Sequence, residues 1–179
     1  MLQLLISPAR GWEDISAAGV APGRLTRAGF YPLLAVAVIS CLVKLIYKND
    51  PAYTFIPALI AAVITFTKYF VTLFLASYAF SIFMPSIAGS ANTQFKNLTC
   101  ITYCLGILVL INILSNLLPI DLVIVTMLPL YVIFVVFKAA RYLDVENERE
   151  GQFMILSILT LIAPPYIISF IFNHLVHLT

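Results

Sequence analysis

Hydrophobic residues in this chain fall into long runs separated by short polar punctuation, on a scale set by membrane thickness. The longest run, Thr54 to Met84, holds 31 residues with one charge, Lys68, and no glycine. A helix rises about 1.5 Å per residue and a hydrocarbon core of about 30 Å takes about 20 residues, so this run predicts a membrane-spanning helix that tilts or protrudes. Along it, Ala58, Ala61, Thr65, Lys68, Thr72, Ala76 and Ala79 recur every three or four positions. That stripe of small and polar side chains predicts the face neighbouring helices approach, with Lys68 turned toward protein. Phe66, Tyr69, Phe70, Leu73 and Phe74 fall largely elsewhere.

The remaining runs predict four more spans. Phe30 to Ile46 is the first, closed by Lys44, Tyr47 and Lys48 and by a tight turn at Asn49, Asp50 and Pro51. The stretch from Pro85 to Asn97 reads as a loop, and Leu98 to Leu118 as the third span. Pro119 opens a fourth that runs to Phe137, with Asp121 where a helix N-terminus favours an anion; the connection is so short that spans three and four form an antiparallel hairpin. Lys138 to Gln152 is the strongly charged run, and Phe153 to Val176 the fifth span, kinked at Pro164 and Pro165. Ahead of all five, Ser7 and Pro8 pair as N-cap and first helical residue, and Trp12 and Ile15 stand about one turn apart. This predicts a short helix at headgroup level anchored by Trp12, followed by a connector from Ala17 to Gly29. The fold class is therefore all-α: a polytopic integral membrane protein with a five-transmembrane-helix bundle and a short N-terminal interfacial helix. Residues 1–29 form its N-terminal cytoplasmic and interfacial segment and residues 30–179 its transmembrane domain.

Composition agrees, with 62% hydrophobic and 10% charged residues and a mean hydropathy of +1.04, outside the range of soluble domains. A net charge of +2 gives no basis for nucleic-acid binding. Where the charges fall says more. With the N-terminus in the cytoplasm, Arg10, Arg24, Arg27, Lys96, Lys138, Arg141 and Arg149 lie on that side, seven against Lys44 and Lys48 outside. The positive-inside rule then gives N-in and C-out. The first residues carry no basic region and few apolar residues before Ser7, so no cleavable signal peptide is expected. Cys41, Cys100 and Cys104 all lie in apolar runs, which reads as three small buried thiols without a disulfide framework.

Catalytic chemistry finds no motif: zinc-protease, serine-elbow, phosphate-loop and dinucleotide patterns are missing. Cys100 with Cys104 and His174 with His177 belong to opposite membrane faces, so no metal site and no cofactor are expected. Asn97-Leu98-Thr99 matches a glycosylation pattern by chance, on the cytoplasmic side. Proton pumping is disfavoured because Asp121 is the one carboxylate in the spans. Measured along the helical rise, Lys68 and Asp121 lie at about the same depth and Asn112 and Asn116 bracket it, giving an expected intramembrane polar cluster. The plain reading of that cluster is a salt bridge between Lys68 and Asp121 that fixes how span two packs on the hairpin of spans three and four, with Asn112 and Asn116 making interhelical hydrogen bonds. The exposed charged loop, with Arg141, Asp144, Glu146, Glu148 and Arg149, is the candidate docking surface for a cytoplasmic protein.

Three stretches, ISPARGWEDI near the start, QFKNLTCITYCLGILVLINILSNLLP over the third span and YLDVENEREGQFMILSILTLIAPPYIISFI toward the end, together with five spans and an N-in topology, resemble the Ypt-interacting (Yip) domain family in its bacterial form. The similarity extends over nearly the whole chain. It implies a five-helix bundle; for eukaryotic relatives it implies binding of Rab-type GTPases and a role in membrane trafficking between the endoplasmic reticulum and Golgi. Two functions then compete. One is a non-enzymatic scaffold or adaptor, with membrane lipids, a cytoplasmic protein and a second copy of the chain (homo-oligomer) as candidate partners. The alternative is a small transporter, channel or lipid-handling protein built on the polar cluster around Lys68.

Overall fold

A computed structural model of the chain describes residues 2–19, 21–47, 54–118 and 123–177. Its helices are α1 (Leu2–Ile6), α2 (Pro8–Ala18), α3 (Pro22–Leu25), α4 (Tyr31–Tyr47), α5 (Phe55–Ile87), α6 (Gln94–Leu117), α7 (Val123–Tyr142), α8 (Glu150–Ser157) and α9 (Ala163–His177). No strand occurs among the described residues; a single bridge joins Ala88 to Val145. Four continuous helical stretches there are long and apolar enough to cross a membrane: Pro22–Ile46, Phe55–Ile87, Gln94–Leu117 and Asn147–Leu175.

The centre of the bundle is α6. Of its most apolar window 67% is buried, against 28% to 39% for the other three, so it is α6, more than the longer α5, that the bundle wraps. Cys100, Ile101, Cys104, Leu105, Ile107, Leu108 and Val109 are buried in near succession, as expected of a helix with protein on every side. Helices α4, α5 and α7 pack against it, and α9 packs against α5. Large apolar side chains face outward instead, among them Phe66, Phe74 and Tyr78 on α5 and Tyr166, Ile167 and Phe170 on α9. A belt of that size is tolerable only in an apolar solvent.

On α5 the small-residue stripe is the packed face: Ala58, Thr65, Thr72, Ala76 and Ala79 are buried. Tyr69 and Leu73, expected off that face, are buried too, and the Tyr69 hydroxyl donates to the Leu108 carbonyl at 3.2 Å. The packed face is therefore wider than a stripe of small residues, because α5 contacts α4, α6 and α9 along different lines.

Several boundaries differ from the sequence expectation, among them the end of α7, which reaches Tyr142, and the start of the last candidate span at Asn147, inside the expected 138–152 loop. The first candidate span starts at Pro22, inside the expected 17–29 connector, because a π-helical turn over Thr26–Phe30 joins α3 to α4 without a break. Helix α5 continues through Pro85 to Ile87, and α6 begins at Gln94, so the expected 85–97 loop shrinks to a few residues. At Pro164 and Pro165 the last helix is adapted by a second π-helical turn, Ile158–Ile162. In the two π turns the Tyr31 N–H donates to the Thr26 carbonyl and the Ala163 N–H to the Ile158 carbonyl, five residues back. Each wide turn stops just short of a proline, Pro32 or Pro164, whose ring collides with the carbonyl four residues back and offers no N–H in return.

Candidate functional site

The N-terminal helix is fastened to the bundle by Gly11 and Trp12. A Cβ at Gly11 would stand 2.9 Å from the Cα of Leu4, so only glycine lets α1 fold back this closely on α2. Beside it the Trp12 indole, expected among lipid headgroups, is 2% exposed and buried against protein. Its Nε1–H donates to the Val135 carbonyl at 3.0 Å, its ring stacks on Tyr142 at 5.2 Å, and the edge of Tyr103 meets it at 6.3 Å. Trp12 thus anchors α2 to α7, and the correction has a simple cause. An indole inside an aromatic slot buries its whole ring and satisfies its one donor, which a headgroup position does only in part.

The charged run after α7 divides into a structural part and an exposed part. Asp144 adopts the left-handed backbone region (φ 57°) and reaches across to the 88–93 loop. Its carbonyl accepts from the Gly89 N–H at 2.7 Å and its carboxylate from the Ala91 N–H at 3.1 Å. The Asn92 amide donates to the Leu143 carbonyl at 2.7 Å and to the Asn97 side chain at 3.1 Å. Asp144 is therefore the pin of a clasp between two connections, although its chain position alone suggested a docking group. Arg141, Glu146, Glu148 and Arg149 are exposed. The Arg149–Glu146 pair, 3.1 Å apart with both side chains about half exposed, contributes little to stability and leaves both groups accessible to a partner.

Of the expected intramembrane cluster, the structure brings part together. Lys68 and Asn112 line one small cavity of about 190 Å³ with Tyr69, Ser115, Pro129 and Tyr166, between α5, α6, α7 and α9. The Lys68 ammonium lies 4.9 Å from the ring centroid of Tyr69 and has no carboxylate partner among the described residues. Asp121, its expected partner, lies outside the described residues. Asn116 turns the other way, toward α4: its amide donates to the Ser40 hydroxyl at 2.9 Å and contacts the Cys41 sulfur and the Asn112 oxygen at 3.4 Å each. Asn116 is thus an interhelical tie, and its replacement by leucine is expected to cost on the order of 1 kcal/mol in a detergent unfolding titration. An unchanged midpoint would show that the tie contributes nothing.

Sequence reasoning missed Tyr142 as the platform for Trp12, Gly89 and Ala91 as partners of Asp144, and Asn92 as the partner of Leu143. Only the adjacency of Gly11 and Trp12 offered a signal, since the other pairings join residues about 50 or more positions apart. No group of three or more His, Cys, Asp or Glu side chains that could hold a metal occurs among the described residues.

Apolar helices at membrane length, an outward aromatic belt and a buried central helix define an integral membrane protein of the all-helical class. The chain belongs to the Yip1 domain family, whose family model matches residues 2–176, nearly its whole length. That family is not a family of enzymes. No curated protein and no solved structure matches the chain.

Proposed function

We propose that this chain is a non-enzymatic membrane scaffold that presents a fixed, charged ledge to a cytoplasmic protein. The observation that carries the reading is the clasp. It fastens the 88–93 connection to the turn after α7, while Trp12, stacked on the adjacent Tyr142, fastens α2 to α7, so Arg141, Glu146, Glu148 and Arg149 project from a rigid end of the bundle. A preorganised surface binds with less ordering cost than a loose loop. The topology in this reading is five spans with the N-terminus cytoplasmic and the C-terminus outside, in a bacterial inner membrane. Helix α7 supports the fifth span: its 20 residues rise about 30 Å, the thickness of a hydrocarbon core. The seven-to-two distribution of Lys and Arg supports the orientation. A transport role would need a polar path through the bundle, whereas the Lys68 cavity is small and much of α6 from Cys100 to Val109 is apolar and buried.

The test uses chains in which Cys41, Cys100 and Cys104 are replaced and one cysteine is introduced at position 24, 146, 148 or 174. A membrane-impermeant maleimide should reach positions 24 and 146 from the cytoplasmic face and position 174 from the other. A cysteine-directed photocrosslinker at position 148 should capture one discrete cytoplasmic protein, and charge reversal at Arg141 and Arg149 should abolish the capture. Labelling of 24 and 174 from the same face would overturn the five-span topology. No discrete adduct at 148 in growing cells would overturn the scaffold role.

A further inference from the structure

A groove of about 500 Å³ runs between α2 and the end of α7, within the ~300–1,000 Å³ range of small-molecule sites. Its walls carry both signs of charge: Lys138 and Arg141 from α7, Lys96 from α6, Glu13 from α2 and Glu150 from α8. The three cations are not equivalent. The Lys96 ammonium donates to the Ala91 carbonyl at 2.9 Å and sits 5.9 Å from the Tyr142 ring, so it is committed to the wall. Lys138 and Arg141 have no carboxylate partner among the described residues. The Lys138 ammonium lies 5.4 Å from the ring centroids of Phe134 and Phe137, both exposed on the outer side of α7. Its charge therefore rests over an apolar, outward-facing surface at the edge of the groove, the arrangement of a lysine at a membrane boundary. Phe137 belongs to both surfaces, so the groove opens onto the side of the bundle where acyl chains lie.

We propose that this groove binds the headgroup of a membrane phospholipid carrying a primary amine, such as phosphatidylethanolamine. The phosphate sits between Lys138 and Arg141, the ammonium faces Glu13 and Glu150, and an acyl chain lies along Phe137 and Phe134. The carboxylates decide the class. A headgroup that is only anionic would meet Glu13 and Glu150 as like charges, and a quaternary ammonium would offer them no N–H donor. The proposal rests on α7 facing lipid; it shares Arg141 with the scaffold reading but does not require it, since a chain that captures no protein can still hold the lipid.

Native mass spectrometry of the detergent-solubilised full chain tests this with phosphatidylethanolamine, phosphatidylglycerol and phosphatidylcholine, and with soluble glycerophosphoethanolamine as competitor. One phosphatidylethanolamine should be retained in preference to the other two lipids. Lys138→Ala with Arg141→Ala should weaken it about tenfold or more, as expected for loss of charge-assisted contacts. Glu13→Gln with Glu150→Gln should erase the preference and leave general phospholipid binding. Ala9→Phe, on an exposed groove-lining position of α2, should block binding with every charge in place. It decides the matter should the alanine variants loosen α2, which a red shift of Trp12 emission would report. Phosphatidylglycerol bound as well as phosphatidylethanolamine would overturn the proposal. So would an adduct undiminished by Ala9→Phe, and full displacement by equimolar glycerophosphoethanolamine would assign the site to a soluble phosphate ester.

Discussion

Trp12→Ala should release the N-terminal helix while leaving the transmembrane bundle folded. The indole is buried against Tyr103, Tyr142 and the Val135 carbonyl, and truncating a buried tryptophan to alanine costs about 3 to 5 kcal/mol. That cost falls chiefly on the docking of α1 and α2: Leu4 and Trp12 join the core at one end, while α4, α5 and α7 pack on α6 through contacts of their own. The expected result is opening of residues 2–18, seen as faster amide exchange and proteolysis there by about a hundredfold or more, with the unfolding midpoint of the remainder nearly unchanged. Trp12→Phe keeps ring packing and loses the Nε1 donor, so it should cost only about 1 kcal/mol. Trp12 is the sole tryptophan, and in the wild type its emission should be blue-shifted and insensitive to aqueous iodide. An iodide-quenched wild type, or an N-terminal segment equally protected in Trp12→Ala, would contradict the docked geometry.

What the sequence made legible was whatever depends on local periodicity. Apolar run length located the long α5, the packed character of its alanine and threonine stripe, and the helices on either side. The boundaries moved where proline chemistry has more than one solution. The helix expected to be interrupted at Pro164 and Pro165 continues through them behind a π turn at Ile158–Ile162, and Pro85 is carried inside α5. Whether a helix absorbs a proline depends on its packing, which periodicity does not encode. The site was harder for a related reason. Trp12 next to Pro8 and acidic residues has the pattern of an interfacial anchor, and only the distant Tyr142 makes the interior slot that wins it. Asn112 and Asn116 share a helix face in sequence, yet one lines the Lys68 cavity and the other bonds to Ser40, because α6 is surrounded and each polar residue finds a different neighbour.

Gly89→Ala should be among the most damaging single-methyl additions outside the core, and Asp144→Gly should rescue part of it. The new Cβ would stand 2.6 Å from the Asp144 carboxylate oxygen, the same oxygen that accepts from the Ala91 N–H. That carboxylate cannot swing away without giving up its hydrogen bond, and the Asp144 backbone cannot retreat while its carbonyl holds the Gly89 N–H at 2.7 Å. Overpacking of this kind costs about 1 to 3 kcal/mol, and loss of the side-chain bond adds about 1. Asp144→Gly alone loses the acceptor but suits the left-handed backbone at φ 57°, so the two effects nearly offset. In the double variant the clash is gone, and thermal unfolding in detergent should place it well above Gly89→Ala, with a coupling above about 1 kcal/mol. Asp144→Ala should fare worse than Asp144→Gly, because it loses the acceptor and keeps a Cβ in a left-handed conformation. Since the clasp is what holds the charged ledge in place, Gly89→Ala should also weaken the capture of a partner at position 148 while every charge of the ledge is retained. Strictly additive stabilities for Gly89→Ala and Asp144→Gly would mean that the two connections are not clasped in the way the hydrogen bonds describe.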